Sequence, residues 1–300
     1  MLNPQDMHKL ARLNPFKSVD KVIDYGDKLM GVKNTSKMPM DYINNLGYTI
    51  HTLDATSLGG RAVDFNLKNP ITGNYMTGSS SGTAINVFAN INHIGAGLDG
   101  GSSVLAPAVS LNLFAFVSKL LAQDELAIHK KTSTDGIEFS PSLGFMTKSF
   151  DELMNVVPFD VKSSEVNFIQ ADVDINAPRK VLIQYLLDTL PKYDFILSKE
   201  GPIDLYGIGD SVLGHFENTH EIQNRSNKGL IKVVNMAGAT AICIPTKKHA
   251  VSNVLICESD PDKISVMLGY AKTLIVEPDE LTQRYFSNID MYTDSLEDKL

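Results

Sequence analysis

Cysteine is scarce in this 300-residue chain, with only Cys243 and Cys257 present. Each lies in an apolar run, Ala-Ile-Cys-Ile-Pro and Val-Leu-Ile-Cys, so a disulfide framework is excluded and buried reduced thiols are expected. Basic clusters are equally sparse. None is longer than pairs such as Lys130-Lys131 or Lys247-Lys248, and the net charge is −8, which argues against nucleic acid as a partner. The N-terminus, Met1-Leu2-Asn3-Pro4-Gln5-Asp6, has neither the basic stretch nor the apolar core of a secretory leader. The longest apolar run, Val104 to Ala122, is broken by Pro107, Ser110, Asn112, Ser118 and Lys119, which suits a buried core element and not a membrane span. Of the seven histidines the closest pair, His215 and His220, lies five apart with no cysteine nearby, so no metal-binding pattern is present. Together these absences lead to the expectation of a cytoplasmic protein with no cofactor, no metal, no nucleic acid and no membrane.

An apolar fraction of 43% beside 21% charged residues is enough for a sizeable core. No linker or internal repeat divides the chain, so residues 1–300 read as one domain whose acidic tail, Glu280 to Leu300, is frayed at its end. The feature that stands out is a pair of small-residue clusters, Met76-Thr77-Gly78-Ser79-Ser80-Ser81-Gly82-Thr83 and Gly97-Leu98-Asp99-Gly100-Gly101-Ser102-Ser103-Val104. Glycines at this density let backbone N–H groups approach a ligand. A linker of like composition would not lead each time into an apolar segment, so the pair reads as a site.

The periodicities place these clusters on structure. Helices are expected at Met7 to Leu13, Val19 to Leu29, Met40 to Leu46 with Gly47 as its cap, Thr83 to Ile91, Arg179 to Leu190 and Ile264 to Val276. Strands are expected at Lys28 to Lys33, Tyr48 to Leu53, His93 to Leu98, Val166 to Gln170, Phe195 to Leu197, Ala241 to Pro245 and Asn253 to Cys257. Ser140 to Met146 reads as a loop before a helix that Ser149 caps with Glu152 as its partner. The rhythm of helix, Gly and strand is that of an α/β protein. The first cluster lies at a helix N-terminus, where free N–H groups favour negative charge. It lacks the Gly-Lys-Ser/Thr ending of a phosphate loop. Its Gly78-Ser79-Ser80-Ser81-Gly82 has the letters of a hydrolase elbow centred on Ser80, without a clear preceding strand.

Taken together the two clusters resemble the amidase signature family. Thr77-Gly78-Ser79-Ser80-Ser81-Gly82 is similar to the family's Gly-Gly-Ser-Ser-Gly-Gly loop. Asp99-Gly100-Gly101-Ser102-Ser103-Val104-Leu105-Ala106-Pro107 is similar to its Asp-x-Gly-x-Ser-aliphatic-Arg-x-Pro segment, with Leu105 in place of Arg. Ser79 and Ser103 stand 24 residues apart, as that pattern requires. Gly31-Val32-Lys33-Asn34, Gly144-Phe145-Met146-Thr147-Lys148-Ser149, Tyr193-Asp194-Phe195-Ile196-Leu197 and Asn235 to Pro245 extend the likeness along most of the chain.

The resemblance implies a single α/β domain with a central mixed sheet covered by helices on both faces. It also implies an amide-bond hydrolase with a Ser-cisSer-Lys triad. Ser103 would attack the amide, Ser79 would relay the proton after a cis Gly78–Ser79 bond, and Lys33 would act as base, with Lys37 the alternative lysine because only 46 residues separate Lys33 from Ser79. Backbone N–H groups of Gly100, Gly101, Ser102 and Ser103 would form the oxyanion hole. Gly78, Ser80 and Asp99 would support it, Asp99 being left by Leu105 without the family's usual arginine. The implied substrate is a small-molecule or peptide-like amide, with a homo-oligomer or a partner chain left open. The alternatives are a protein of this fold that binds a ligand or partner without turnover, or one component of an amide-transferring complex.

Overall fold

The computed structural model of the chain describes residues 2–286. In chain order its elements are α1 (Pro4–Leu13), β1 (Val19–Val22), β2 (Leu29–Lys33), α2 (Met40–Asn44), β3 (Thr49–Asp54), β4 (Val63–Lys68), β5 (Tyr75–Thr77), α3 (Ser81–Phe88), β6 (Ile94–Asp99), α4 (Leu105–Ser110), β7 (Phe114–Ser118) and α5 (Gln123–Leu126). They continue with β8 (Lys131–Thr132), β9 (Glu138–Phe139), β10 (Ser142–Thr147), α6 (Phe150–Met154), β11 (Phe168–Gln170), α7 (Arg179–Thr189), β12 (Phe195–Glu200), α8 (Glu217–Asn224), β13 (Thr240–Pro245), β14 (Ser252–Cys257) and α9 (Pro261–Thr273).

Ten strands form one sheet in the order β1-β3-β2-β6-β10-β7-β13-β14-β12-β11. It is mixed: β2 runs parallel to β3 and β6, while β10 is antiparallel to both β6 and β7. Alternation along each strand feeds two separate cores. In β13, Ala241 and Cys243 pack with the helices α1, α3, α4 and α7, and Ile242 and Ile244 pack with α2, α5, α6 and α9. The sheet is therefore covered by helices on both faces, as the sequence suggested. Among the described residues no helix is long and apolar enough to cross a membrane.

Three local expectations are corrected. Val19–Val22 is a strand and not a helix, because its β-branched ends pair antiparallel with β3 across Val19↔Asp54 and Val22↔Thr52. The stretch Ser142–Thr147, expected as a loop, is a wholly buried strand in the middle of the sheet. Its Gly144 marks a close approach and not a turn: a Cβ there would lie 2.5 Å from Val117 Cγ1 and 2.9 Å from the Phe116 carbonyl oxygen. Lastly, a three-residue strand, β5, does precede the first Ser/Gly cluster. Ser149 caps α6 as expected, accepting the Glu152 N–H at 3.1 Å, but the Glu152 carboxylate accepts from Tyr48 Oη at 2.6 Å instead of closing the capping box. The end of the tail expected to fray lies outside the described residues.

Candidate active site

Lys33 is the last residue of β2, a strand with all five positions buried between β3 and β6. The strand's register carries the lysine to its C-terminal end, beside the turn from β5 into α3. There its Nζ donates to Ser79 Oγ at 2.6 Å. Burial, and then the positive charge of Lys131, bring the Lys33 pKa down to about 7, with Asp99 acting in the opposite direction. Lys37 lines the same cleft but makes no hydrogen bond to either serine.

Ser79 follows Gly78, whose φ of +77° belongs to the left-handed region that glycine tolerates. The same glycine permits a close approach: a Cβ at Gly78 would lie 2.5 Å from Pro107 Cδ and 3.2 Å from the Ser103 carbonyl oxygen. The two Ser/Gly clusters touch here, and the Ser80 N–H donates to the Ser103 carbonyl at 3.2 Å. The expected cis bond between Gly78 and Ser79 is not found, since the one cis peptide among the described residues is Gly201–Pro202. The left-handed Gly78 turns the chain into Ser79 with a trans bond. Ser80 is fully buried against Gly97 and its hydroxyl has no partner, so the elbow reading fails on burial although a strand precedes it.

The second cluster is organised by Asp99, the buried last residue of β6. Its Oδ1 accepts the Ser102 N–H at 3.0 Å, and its Oδ2 accepts those of Val104 at 2.7 Å and Leu105 at 3.2 Å. Three backbone donors thus stand where an arginine was missing, and Leu105 is fully buried in the core. Burial raises the Asp99 pKa, and these donors together with Lys33 oppose the rise. One correction follows. The Ser102 N–H is committed to Asp99, so it is withdrawn from the expected oxyanion hole, while the N–H groups of Gly100, Gly101 and Ser103 have no protein acceptor among the described residues. Ser102 itself sits at φ +74°, a left-handed conformation costly for a residue with a side chain and common where a loop is held for a purpose.

Ser103 is half-buried and lines the same cleft of about 540 Å³ as Lys33, Ser79, Gly100 and Gly101. Its hydroxyl makes no hydrogen bond to Ser79 or Lys33 in this state. The structure therefore brings the lysine and first serine into contact and sets the second serine beside them through its backbone. No group of three or more metal-ligating side chains occurs among the described residues.

The sequence reading missed the walls. Arg61 holds Asp210 through its Nε at 2.9 Å and a terminal nitrogen at 2.6 Å. Arg179, at the start of α7, holds Asp135 at 2.7 and 2.6 Å, which fixes the tip of the β8–β9 hairpin over the cleft. Thr134 Oγ1 adds a bond to Ser211 Oγ at 2.9 Å, and the Phe139 ring lies on Gly100. Ion pairs between residues more than forty positions apart leave no local pattern to read. Only the Lys130-Lys131 doublet carried a visible signal.

The chain matches no protein-family model and no curated protein. Its fold, however, is that of the amidase signature enzymes. Among solved structures it is similar to a glutamyl-tRNA(Gln) amidotransferase subunit from Thermotoga maritima, with a TM-score of 0.61 at 14% identity over 92% of this chain and 94% of that one. It is likewise similar to a bacterial aryl acylamidase of the amidase signature family, with a TM-score of 0.59 at 11% identity over 98% and 95% of the two chains. A 6-aminohexanoate cyclic dimer hydrolase gives 0.58 at 10% identity over 93% and 96%.

Proposed function

We propose that this chain hydrolyses an amide bond through a Ser103–Ser79–Lys33 relay. The observation that carries the reading is the 2.6 Å contact from Lys33 Nζ to Ser79 Oγ, made by a buried lysine whose pKa has come down to about 7. A serine hydroxyl needs a base to become a nucleophile, and a lysine serves only when it is neutral. In this reading Ser103 Oγ passes its proton to Ser79 Oγ as Ser79 passes its own to Lys33. The Ser103 oxygen bonds to the carbonyl carbon, and the oxyanion meets the N–H groups of Gly100, Gly101 and Ser103, each worth about 3–4 kcal/mol in comparable hydrolases. The C–N bond then breaks, and the departing amine takes the proton back from Lys33 through Ser79. Water attacks the acyl-enzyme by the same route in reverse.

Asp99 supports this site by fixing the oxyanion loop. Gly78 and Ser80 support it by letting the two serine loops meet. The substrate is a small-molecule or peptide-like amide that enters the cleft, and no metal or cofactor takes part. A cytoplasmic location belongs to the same proposal and is supported by the two buried free thiols.

One observation favours a second reading, ligand binding without turnover: the Ser103 hydroxyl is not bonded to Ser79. A fluorophosphonate probe separates the two. Wild-type protein is expected to be labelled at Ser103 and Ser103→Ala to remain unlabelled. Absence of label on the wild type would overturn the hydrolase reading in favour of binding alone.

A further inference from the structure

The whole chain carries a net charge of −8, yet the ionisable side chains lining the cleft are Lys33, Lys37, Arg61, Lys131 and Arg179 against Asp99 and Asp210. Most of these charges are already committed. Arg61 is held by Asp210, Arg179 by Asp135, and Lys33 by Ser79. The Asp99 carboxylate is occupied by three backbone N–H groups. Lys37 and Lys131 are different, for neither side chain has an acidic partner or a hydrogen bond among the described residues.

Both lysines stand on ordered backbone. Lys37 lies in the turn after β2, where Thr35 N–H bonds the Lys33 carbonyl at 2.9 Å and Met38 N–H bonds that of Thr35 at 3.2 Å. Lys131 pairs directly across the β8–β9 ribbon with Phe139. Cross-strand partners project to the same side of a ribbon, and Phe139 lies on Gly100, so Lys131 faces the oxyanion loop. The two ammonium groups feel each other, since the charge of Lys37 adds to burial in lowering the Lys131 pKa. Two like charges that line the cleft holding Ser103 and feel each other, neither paired with a carboxylate among the described residues, leave the place of a counter-ion to the ligand.

We infer that Lys37 and Lys131 form a subsite for an anionic group on the substrate, making this an enzyme for amides that carry a carboxylate or phosphate. The inference rests on the hydrolase reading for its site, but its binding half is measurable without turnover. The subsite selects by charge: an anionic amide is drawn in and oriented by two ammonium groups, and an uncharged isostere leaves both unpaired.

Glutaric mono-4-nitroanilide, its methyl ester and a 4-nitroanilide ending in a phosphate form a matched series. Wild type is expected to favour an anionic member over the ester by about 10- to 100-fold in kcat/KM, mostly through KM. The Lys37→Met/Lys131→Met double variant is expected to bring that ratio near one, and the Lys37→Arg/Lys131→Arg variant to keep it. Preference for the carboxylate or for the phosphate member identifies which anion the pair takes. Calorimetric titration of Ser103→Ala with glutarate and with inorganic phosphate reads the subsite without chemistry. Binding of either that disappears in the double variant supports the inference even if the fluorophosphonate result overturns hydrolysis. Equal turnover of ester and anion, a preference that survives the double Met variant, or no anion binding to Ser103→Ala would each overturn it.

Discussion

Among the described residues two lysines are almost wholly buried, and they meet opposite surroundings. Lys228 is 6% exposed, and its Nζ lies 3.1 Å from the Asp204 carboxylate and donates to the Gly209 carbonyl at 2.8 Å. Its charge has a counter-charge, and the pair ties the 204–210 loop to the segment before Leu230. Lys33 is 8% exposed, and its partner is a neutral hydroxyl. Ser79 and the charge of Asp99 repay only part of the removal of its ammonium from water, so its pKa comes down to about 7. The same residue type at the same depth is a structural clamp in one place and, in the proposed relay, a base in the other. The partner makes the difference.

The sharpest way to break that comparison is to remove each nitrogen in turn. Lys33→Met is expected to lower turnover of an amide by about a thousandfold or more, because no other base touches Ser79. The same variant is expected to gain about 2 kcal/mol of stability at pH 6, since an apolar side chain replaces a poorly compensated charge. The sign follows from linkage. The folded-state pKa of about 7 lies below the ordinary 10.5, so between those values the unfolded chain binds more protons and wild-type stability rises with pH. The gain in Lys33→Met is therefore largest below pH 7 and fades toward pH 10.5, which urea titrations at pH 6 and pH 10 measure. A gain that does not change with pH would show that folded Lys33 keeps its proton across this range, so that burial has not brought its pKa down.

Lys228→Met is expected to act in the other direction, costing about 3 kcal/mol by stranding Asp204, with turnover per folded molecule changed less than tenfold. Denaturant melts and active-site titration separate the two effects. Gly78→Ala is expected to cost about 2 kcal/mol and to lower turnover, since both the positive φ and the contact with Pro107 resist a methyl group. Equal stability with full activity would mean that the two serine loops do not need their close approach. With an uncharged amide, Lys131→Met should give the smallest effect, an upward move in the pH midpoint of kcat/KM. It removes a positive charge that lowers the Lys33 pKa and leaves Asp99, which raises it. An unmoved midpoint would place the influence on Lys33 in burial alone.

Much of the architecture was legible because it is written in short-range pattern. The short apolar runs Ala241 to Pro245 and Asn253 to Cys257 gave both strands, and the apolar spacing of Ala84, Val87 and Phe88 gave α3. The serine clusters were legible as a site because small residues at that density serve close backbone approach, as Gly78 does. β1 was misjudged because four residues of strand carry too few repeats to outvote a helical spacing, and β10 because Gly144 has the composition of a turn. The commitment of Ser102 N–H to Asp99 could not be read, since it depends on where a loop folds back over six residues.

By itself, then, the sequence determined many of the elements, the two serine loops and a lysine at a strand's end, because propensity and periodicity act over a few residues. Tertiary structure alone decided that Lys33 and not Lys37 meets Ser79, that three N–H groups stand in for an arginine at Asp99, and that two lysines from different segments share one cleft without a counter-ion. Those facts depend on distances between residues dozens of positions apart, and on how much water reaches a charge once the chain has closed around it.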